Sequence, residues 1–377
     1  MAFELTAEKQ DELRRLTARD GAVFHDVREA PFQIYGLFDP YSGGRFCRIP
    51  ETVAAATSGK VKGLNYNTAG ARVRFTTDAE YVAVYSVTEE RNGSVILNRT
   101  MTYGFDLYID DPNVGGRRPH SIHVNSISPP QHFEGGYAGR FRLPEGEHSV
   151  TLYLPLYNGL EELYIGLPEG ASLKPGLPYA NEKPIVFYGS SITQGASACR
   201  PGLAYVSQVC RRLNADFRNL GFAGAAKAEP AMVDYLASLE MSCFVQDYDH
   251  NAPTVEHLRA THYGLYKRVR ESHPDIPILL LSRPGFHTYD KKGRDRTEDS
   301  ENRRDVVIDT FRAARAEGDE RVWYIDGESF FSGPDETDCT IDGIHPNDIG
   351  MLKMADSVHQ TLLRVLNDVP FLKANEW

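Results

Sequence analysis

Apolar and polar positions follow two different rules along this 377-residue chain, and the change falls near residue 183. Before it they alternate in short β-rich runs, at 71–76, 81–88, 103–109, 120–126 and 148–154. Turn clusters separate the runs, among them Asn92-Gly93-Ser94, Asp111-Pro112-Asn113 and Pro144-Glu145-Gly146. A period of two, bounded by turn formers, predicts strands, and short strands at this spacing predict a β-sandwich. Only residues 6–18 read as helix here, with Leu13 and Leu16 on one side.

After residue 183 strand-like runs at 185–188, 217–220, 243–247, 276–282 and 321–325 alternate with helical patterns. Val206, Val209, Cys210 and Leu213 fall at i, i+3, i+4 and i+7, and Val255, Leu258, His262, Leu265 and Val269 keep a similar period. Ile349, Leu352, Ala355 and Val358 predict a last helix on the same grounds. Strand–helix alternation predicts a parallel sheet with helices on both faces. The Pro- and Gly-bearing stretch 167–184 is the expected joint, which gives domains of 1–182 and 183–377.

Net charge is −11, split as −5 over residues 1–182 (18 basic, 23 acidic) and −6 over the rest (23 basic, 29 acidic). Neither half is a basic module, which argues against nucleic acid or an anionic membrane as a partner. No apolar run approaches 18 residues, and the N-terminal segment lacks the apolar centre of a signal peptide, so a cytoplasmic protein is expected. Five cysteines without C-x-x-C spacing favour free buried thiols over a disulfide framework or a zinc site.

The candidate chemistry begins at Phe187-Tyr188-Gly189-Ser190-Ser191-Ile192-Thr193-Gln194-Gly195. A glycine-flanked serine at the end of a buried strand can expose its hydroxyl at a sheet's ligand-binding edge. Serine needs a base, and the base needs an orienting group. Asp342 and His345, three residues apart after the fifth strand, can supply both, although Asp-Gly and His-Pro are also common turn pairs. Asn219-Leu220-Gly221-Phe222-Ala223-Gly224 can bring a backbone N–H to developing negative charge, or be a plain strand-to-helix turn. Asn251, in the loop at 247–253, can donate an amide hydrogen bond or cap the next helix. His257 and His262 are five apart on a helix and diverge, so His250, His257 and His262 do not read as a metal set. The G-x-G-x-x-G and G-x-x-x-x-G-K-[ST] loops are absent, as is the G-x-S-x-G elbow around Ser191.

In this order the four segments resemble the SGNH (GDSL) hydrolase superfamily. Gly189–Gly195 resembles its block I, the segment ending in Gly224 its block II, Asn251 its block III, and Asp342-Gly343-Ile344-His345 the D-x-x-H of block V. Tyr103-Gly104-Phe105-Asp106-Leu107-Tyr108 and Leu154-Pro155-Leu156-Tyr157-Asn158 resemble the sandwich that precedes some bacterial carbohydrate esterases of this superfamily. Two departures stand out: Ser190 occupies the aspartate place of G-D-S, and Tyr248-Asp249-His250-Asn251 lacks the glycine of G-x-N-D. The resemblance implies a three-layer, flavodoxin-like α/β domain after a jelly-roll-like sandwich. It implies Ser191 as nucleophile, His345 as base and Asp342 as its orienter, with oxyanion donors from Ser191, Gly224 and Asn251. The implied activity is hydrolysis of small acyl esters, O-acetyl groups on carbohydrates above all, without cofactor or metal. The expected partner is a small-molecule or oligosaccharide ester. An acyltransferase with the same triad and a non-catalytic glycan binder are the alternatives. From topology, Arg283 and Phe286 are expected to line the same pocket.

Overall fold

The computed structural model describes residues 3–90, 96–111, 120–289, 293–334 and 336–367. The turn clusters at 92–94 and 112–113 lie outside these residues. The first part of the chain contains α1 (Ala7–Thr17), β1 (Ala22–Asp26), β2 (Gln33–Tyr35), α2 (Glu51–Thr57), α3 (Gly59–Leu64), β3 (Arg72–Thr77) and β4 (Tyr81–Val87). It continues with α4 (Arg99–Tyr103), β5 (Phe105–Asp111), β6 (His120–Ile127), β7 (Tyr137–Arg142), β8 (His148–Tyr153), β9 (Glu162–Pro168) and β10 (Leu173–Pro175). Two antiparallel sheets, ordered β1-β9-β4-β7 and β10-β3-β8-β5-β6 with β2 beside β3, form the sandwich. Val73, Phe75, Leu107 and Leu152 of one sheet meet Val82, Val84, Phe141 and Ile165 of the other in a common core.

The alternation in β3 did not predict what covers its other face. Arg72 and Arg74 are 0% and 2% exposed rather than solvated. Arg72 stacks on Phe217, 3.8 Å from its ring centroid, and pairs with Asp216 in the second half of the chain. The helices α2 and α3 were also missed. They are short and present single buried anchors, Ala54 and Val61, instead of a broad apolar stripe. With Ile49 these anchors join the core around Phe222 and Met232, so this stretch packs on the α/β half. The run at 103–109 likewise starts later as a strand, because Asn98 caps α4 through its side chain, accepting from the Met101 N–H.

The remainder alternates β11 (Asn181–Gly189), α5 (Ser191–Gln194), α6 (Tyr205–Leu213), β12 (Ala215–Gly221), α7 (Pro230–Ser238), β13 (Cys243–Asp247), α8 (Val255–Ser272), β14 (Ile278–Leu281), α9 (Thr297–Ala316), β15 (Val322–Ile325) and α10 (Asp348–Leu366). All five strands are parallel in the order β12-β11-β13-β14-β15. Side chains alternate between two apolar layers. Val186, Phe244 and Leu280 meet α7, α8 and α9, whereas Phe187, Val245 and Leu279 meet α6 and α10. This three-layer arrangement is the flavodoxin-like fold expected, preceded by an all-β sandwich. The last helix presents a different face than predicted: Ile349 and Leu352 are 43% and 45% exposed. The buried stripe runs through Met351, Met354, Ala355, Val358, Leu362 and Val365, which also obeys the helical period.

Candidate active site

In a 2-1-3-4-5 sheet the strand order reverses between the first and third strands, here β11 and β13, and ligands bind beyond their carboxyl ends. Ser191 follows β11 at that point, as the first residue of α5. The turn is tight. A Cβ on Gly189 would run into Thr193 Oγ1 and the Asp247 carbonyl, and one on Gly221 into the Gln194 backbone, so both positions need glycine. Ser190, in the aspartate place of G-D-S, caps α5 by accepting a 3.1 Å hydrogen bond from the Ile192 N–H.

Ser191 Oγ stands 3.0 Å from His345 Nε2, and His345 Nδ1 stands 2.9 Å from Asp342 Oδ2. With the proton assigned to Nδ1, the ring donates to the carboxylate and offers Nε2 to the serine hydroxyl. The carrying loop is braced: Ile341 N–H donates to the His345 carbonyl at 3.1 Å, and Gly343, at φ 77°, makes the reversal. Asp342 Oδ1 accepts from the Ile344 and His345 N–H groups at 3.0 and 2.8 Å. Burial resists ionisation of Asp342, but the bonds from His345 and Ile344 outweigh it and hold its carboxyl below the usual carboxylate value.

The three expected oxyanion donors face one pocket of about 410 Å³, which Ser191, Gly224, Asn251 and His345 all line. Gly224 adopts φ 65° after β12. Asn251 uses one amide hydrogen on the Phe222 carbonyl at 2.9 Å, tying its loop to the Gly224 loop, and an amide carries a second hydrogen for a ligand. The Gly224 loop is in turn tied to the serine turn by Asn219, whose Nδ2 donates to the Thr193 carbonyl at 2.7 Å, and by Gln194 Oε1, which accepts from the Ala223 N–H at 3.0 Å.

Several pocket residues were not anticipated. Tyr157 Oη donates to the Ser191 carbonyl at 3.0 Å, and Gln194 Nε2 donates to the Leu156 carbonyl at 3.0 Å, so a segment before the joint grips the serine turn. Lys60, Leu97 and Arg296 also line the pocket. The motif Leu154–Asn158 was the one signal in sequence that pointed at Tyr157. Nothing local marks Lys60 or Arg296. Arg283 and Phe286 do not line this pocket: Arg283 donates to Asp299 Oδ2 at 2.7 Å and to Ser300, and Phe286 lies under Arg304.

His250 is in the wall of the pocket, with its buried Nε2 unpartnered among the described residues. Burial first, then Arg283, Arg296, His345 and Arg303, hold its pKa well below the ordinary histidine value, so it is neutral near pH 7. His257 Nε2 bonds the Lys227 carbonyl and His262 Nδ1 bonds Thr310, so the three histidines have separate environments. Four cysteines are buried and Cys199 is exposed, all of them free thiols. No helix among the described residues is long and apolar enough to cross a membrane.

Residues 182–363 match the family model of the GDSL-like lipase/acylhydrolase family, and residues 22–173 match that of the N-terminus of SGNH hydrolase-type esterases. No curated protein matches the sequence. Among solved structures, a GDSL-like lipase from Bacteroides ovatus ATCC 8483 is similar over 92% of this chain and 98% of its own, at 25% identity and TM-score 0.80. The salicylyl-acyltransferase SsfX3 from a tetracycline biosynthetic pathway shares the fold over 92% of this chain and 98% of its own, at 19% identity and TM-score 0.72. An active-site mutant of a family two carbohydrate esterase from Clostridium thermocellum shares it over 90% and 99%, at 15% identity and TM-score 0.57.

Proposed function

The chain belongs to the SGNH/GDSL hydrolase superfamily, in its form with a preceding β-sandwich, and we propose that it is a serine O-deacylase for small acyl esters, O-acetyl groups on carbohydrates foremost. One observation carries this reading: the Ser191–His345–Asp342 chain of hydrogen bonds, at 3.0 and 2.9 Å, opens into a pocket that also holds Gly224 and Asn251. Ser191 Oγ attacks the ester carbonyl as Nε2 of His345 takes its proton, and Asp342 stabilises the imidazolium through Nδ1–H. Negative charge on the former carbonyl oxygen meets the N–H groups of Ser191 and Gly224 and the Asn251 amide. His345 then protonates the leaving alkoxide, the acyl group stays on Ser191 Oγ, and a water activated by the same imidazole releases the acid.

A pocket of about 410 Å³ has room for a small acyl group together with the sugar ring that carries it. The carbohydrate part extends to this chain the chemistry for which the Clostridium thermocellum relative is named. The test is acetate release from acetylated mono- and oligosaccharides by wild type and Ser191→Ala. We expect Ser191→Ala to lose at least about 10³-fold in kcat and to escape labelling by a serine-directed phosphonate. Full turnover by Ser191→Ala, with label on another residue, would refute the assignment. Dominance of long-chain or aryl esters would end the sugar-acetate reading, and product transfer to added alcohols would mark an acyltransferase.

A further inference from the structure

The pocket beside Ser191 has a charge character opposite to that of the chain. Acidic residues outnumber basic ones 52 to 41 overall, yet among the described residues the pocket lining contains Lys60 and Arg296 and no Asp or Glu. Among the described residues neither side chain has a hydrogen-bond or ion-pair partner; Lys60 is exposed and Arg296 half-buried, so both are open to a ligand. Lys60 projects from α3, and its Nζ lies 2.5 Å from the place a Cβ on Gly224 would take. Arg296 is the residue before α9. Two cations from distant parts of the chain thus converge on one hollow with their charges uncommitted. His250 lines the same hollow.

We infer that this pocket selects esters carrying a carboxylate or phosphate near the scissile bond, with Lys60 and Arg296 as the specificity-determining contacts. The inference rests on Ser191 as nucleophile and adds the charge class of its substrate. An anion is attracted because neither cation must first give up an internal partner. The adjoining hollow of about 630 Å³, which shares Leu97, holds Glu89 and Glu90 with Arg99 and His132. Glu90 is paired with Arg99 at 2.5 Å, so positive charge there is already matched. That confines the anion to the Ser191 side.

The competing role for Lys60, given its place against Gly224, is direct help to the oxyanion. The two roles differ in one readout. An oxyanion contact serves all esters alike, whereas anion recognition changes the ratio of kcat/KM between a charged ester and its neutral counterpart. Two matched pairs locate the anion: methyl 4-nitrophenyl succinate against mono-4-nitrophenyl succinate for the acyl side, and methyl 2-O-acetylglucuronoside against its methyl ester for the alcohol side. We expect the charged member of one pair to be preferred. That preference should fall about tenfold in Lys60→Met and again in Arg296→Gln, one charge-assisted hydrogen bond each. It should return in Lys60→Arg and shrink as salt rises from about 0.01 to about 0.5 M. A ratio that both substitutions leave unchanged for both pairs overturns the inference, as does an equal loss on charged and neutral esters. Ser191→Ala separates the two claims: hydrolysis that survives it sinks the nucleophile, while selectivity that survives the cation variants sinks only the anion site.

Discussion

Asp247 is the carboxylate whose removal should change this protein most informatively. It ends β13 directly beneath the serine turn, where Oδ2 accepts from Thr193 Oγ1 at 2.8 Å and Tyr205 Oη at 2.7 Å. Burial pushes its pKa from 3.8 up to about 7; those two bonds oppose the rise and the charge of Asp249 adds to it. The folded state therefore holds this proton more tightly than the unfolded chain does. Stability from this group is complete below the unfolded pKa and is lost as pH rises toward 7. In Asp247→Asn the amide oxygen keeps both acceptor roles and does not titrate. At about 1.4 kcal/mol per pH unit, two units between pH 5 and the folded pKa give a swing of about 3 kcal/mol in favour of the variant between pH 5 and pH 8. The new buried N–H of the amide costs about 1–3 kcal/mol at every pH and so leaves the swing intact. Urea unfolding of both proteins at pH 5, 6, 7 and 8 reads it, provided the m-values agree. A stability difference constant within about 0.5 kcal/mol over that range would refute the raised pKa.

Two more outcomes follow from the loops around the serine. Asn251→Ala should lower kcat about 10²-fold with little change in KM, because an oxyanion donor acts mainly in the transition state; steady-state kinetics in which KM alone rises would remove Asn251 from that role. Arg48→Met should lower stability by about 2–4 kcal/mol and kcat with it. Its buried guanidinium, with a pKa lowered to about 9 by burial, bonds the Asn219, Gly221 and Leu64 carbonyls and lies over Phe222, holding the loop that carries Gly224. An unchanged thermal midpoint together with unchanged kcat would show that the loop stands without it.

What was legible in sequence was short-range or periodic. The parallel sheet follows from runs such as 185–188 and 243–245, apolar at consecutive positions because both faces are covered. The grouping of Ser191, Asp342 and His345 was legible because a glycine-bounded turn at the end of β11 and a three-residue spacing in the loop between β15 and α10 open on one edge of the sheet. What escaped was set by tertiary approach. The alternation in β3 did not show that Arg72 would be covered by Asp216 and Phe217 of the second half, or Arg74 by Asp110, Thr151 and Tyr179. Ile349 and Leu352 fitted a helical period that Met351 and Met354 fitted equally well, and only packing on α6 and the sheet chose between them. The site itself extends this point. Tyr157 and Leu156 hold the serine turn, Arg48 holds the Gly224 loop, and Lys60 stands over Gly224, all from residues before the joint. A sandwich that only captured glycan would need none of these bonds. Their placement makes the first part of the chain a wall of the pocket.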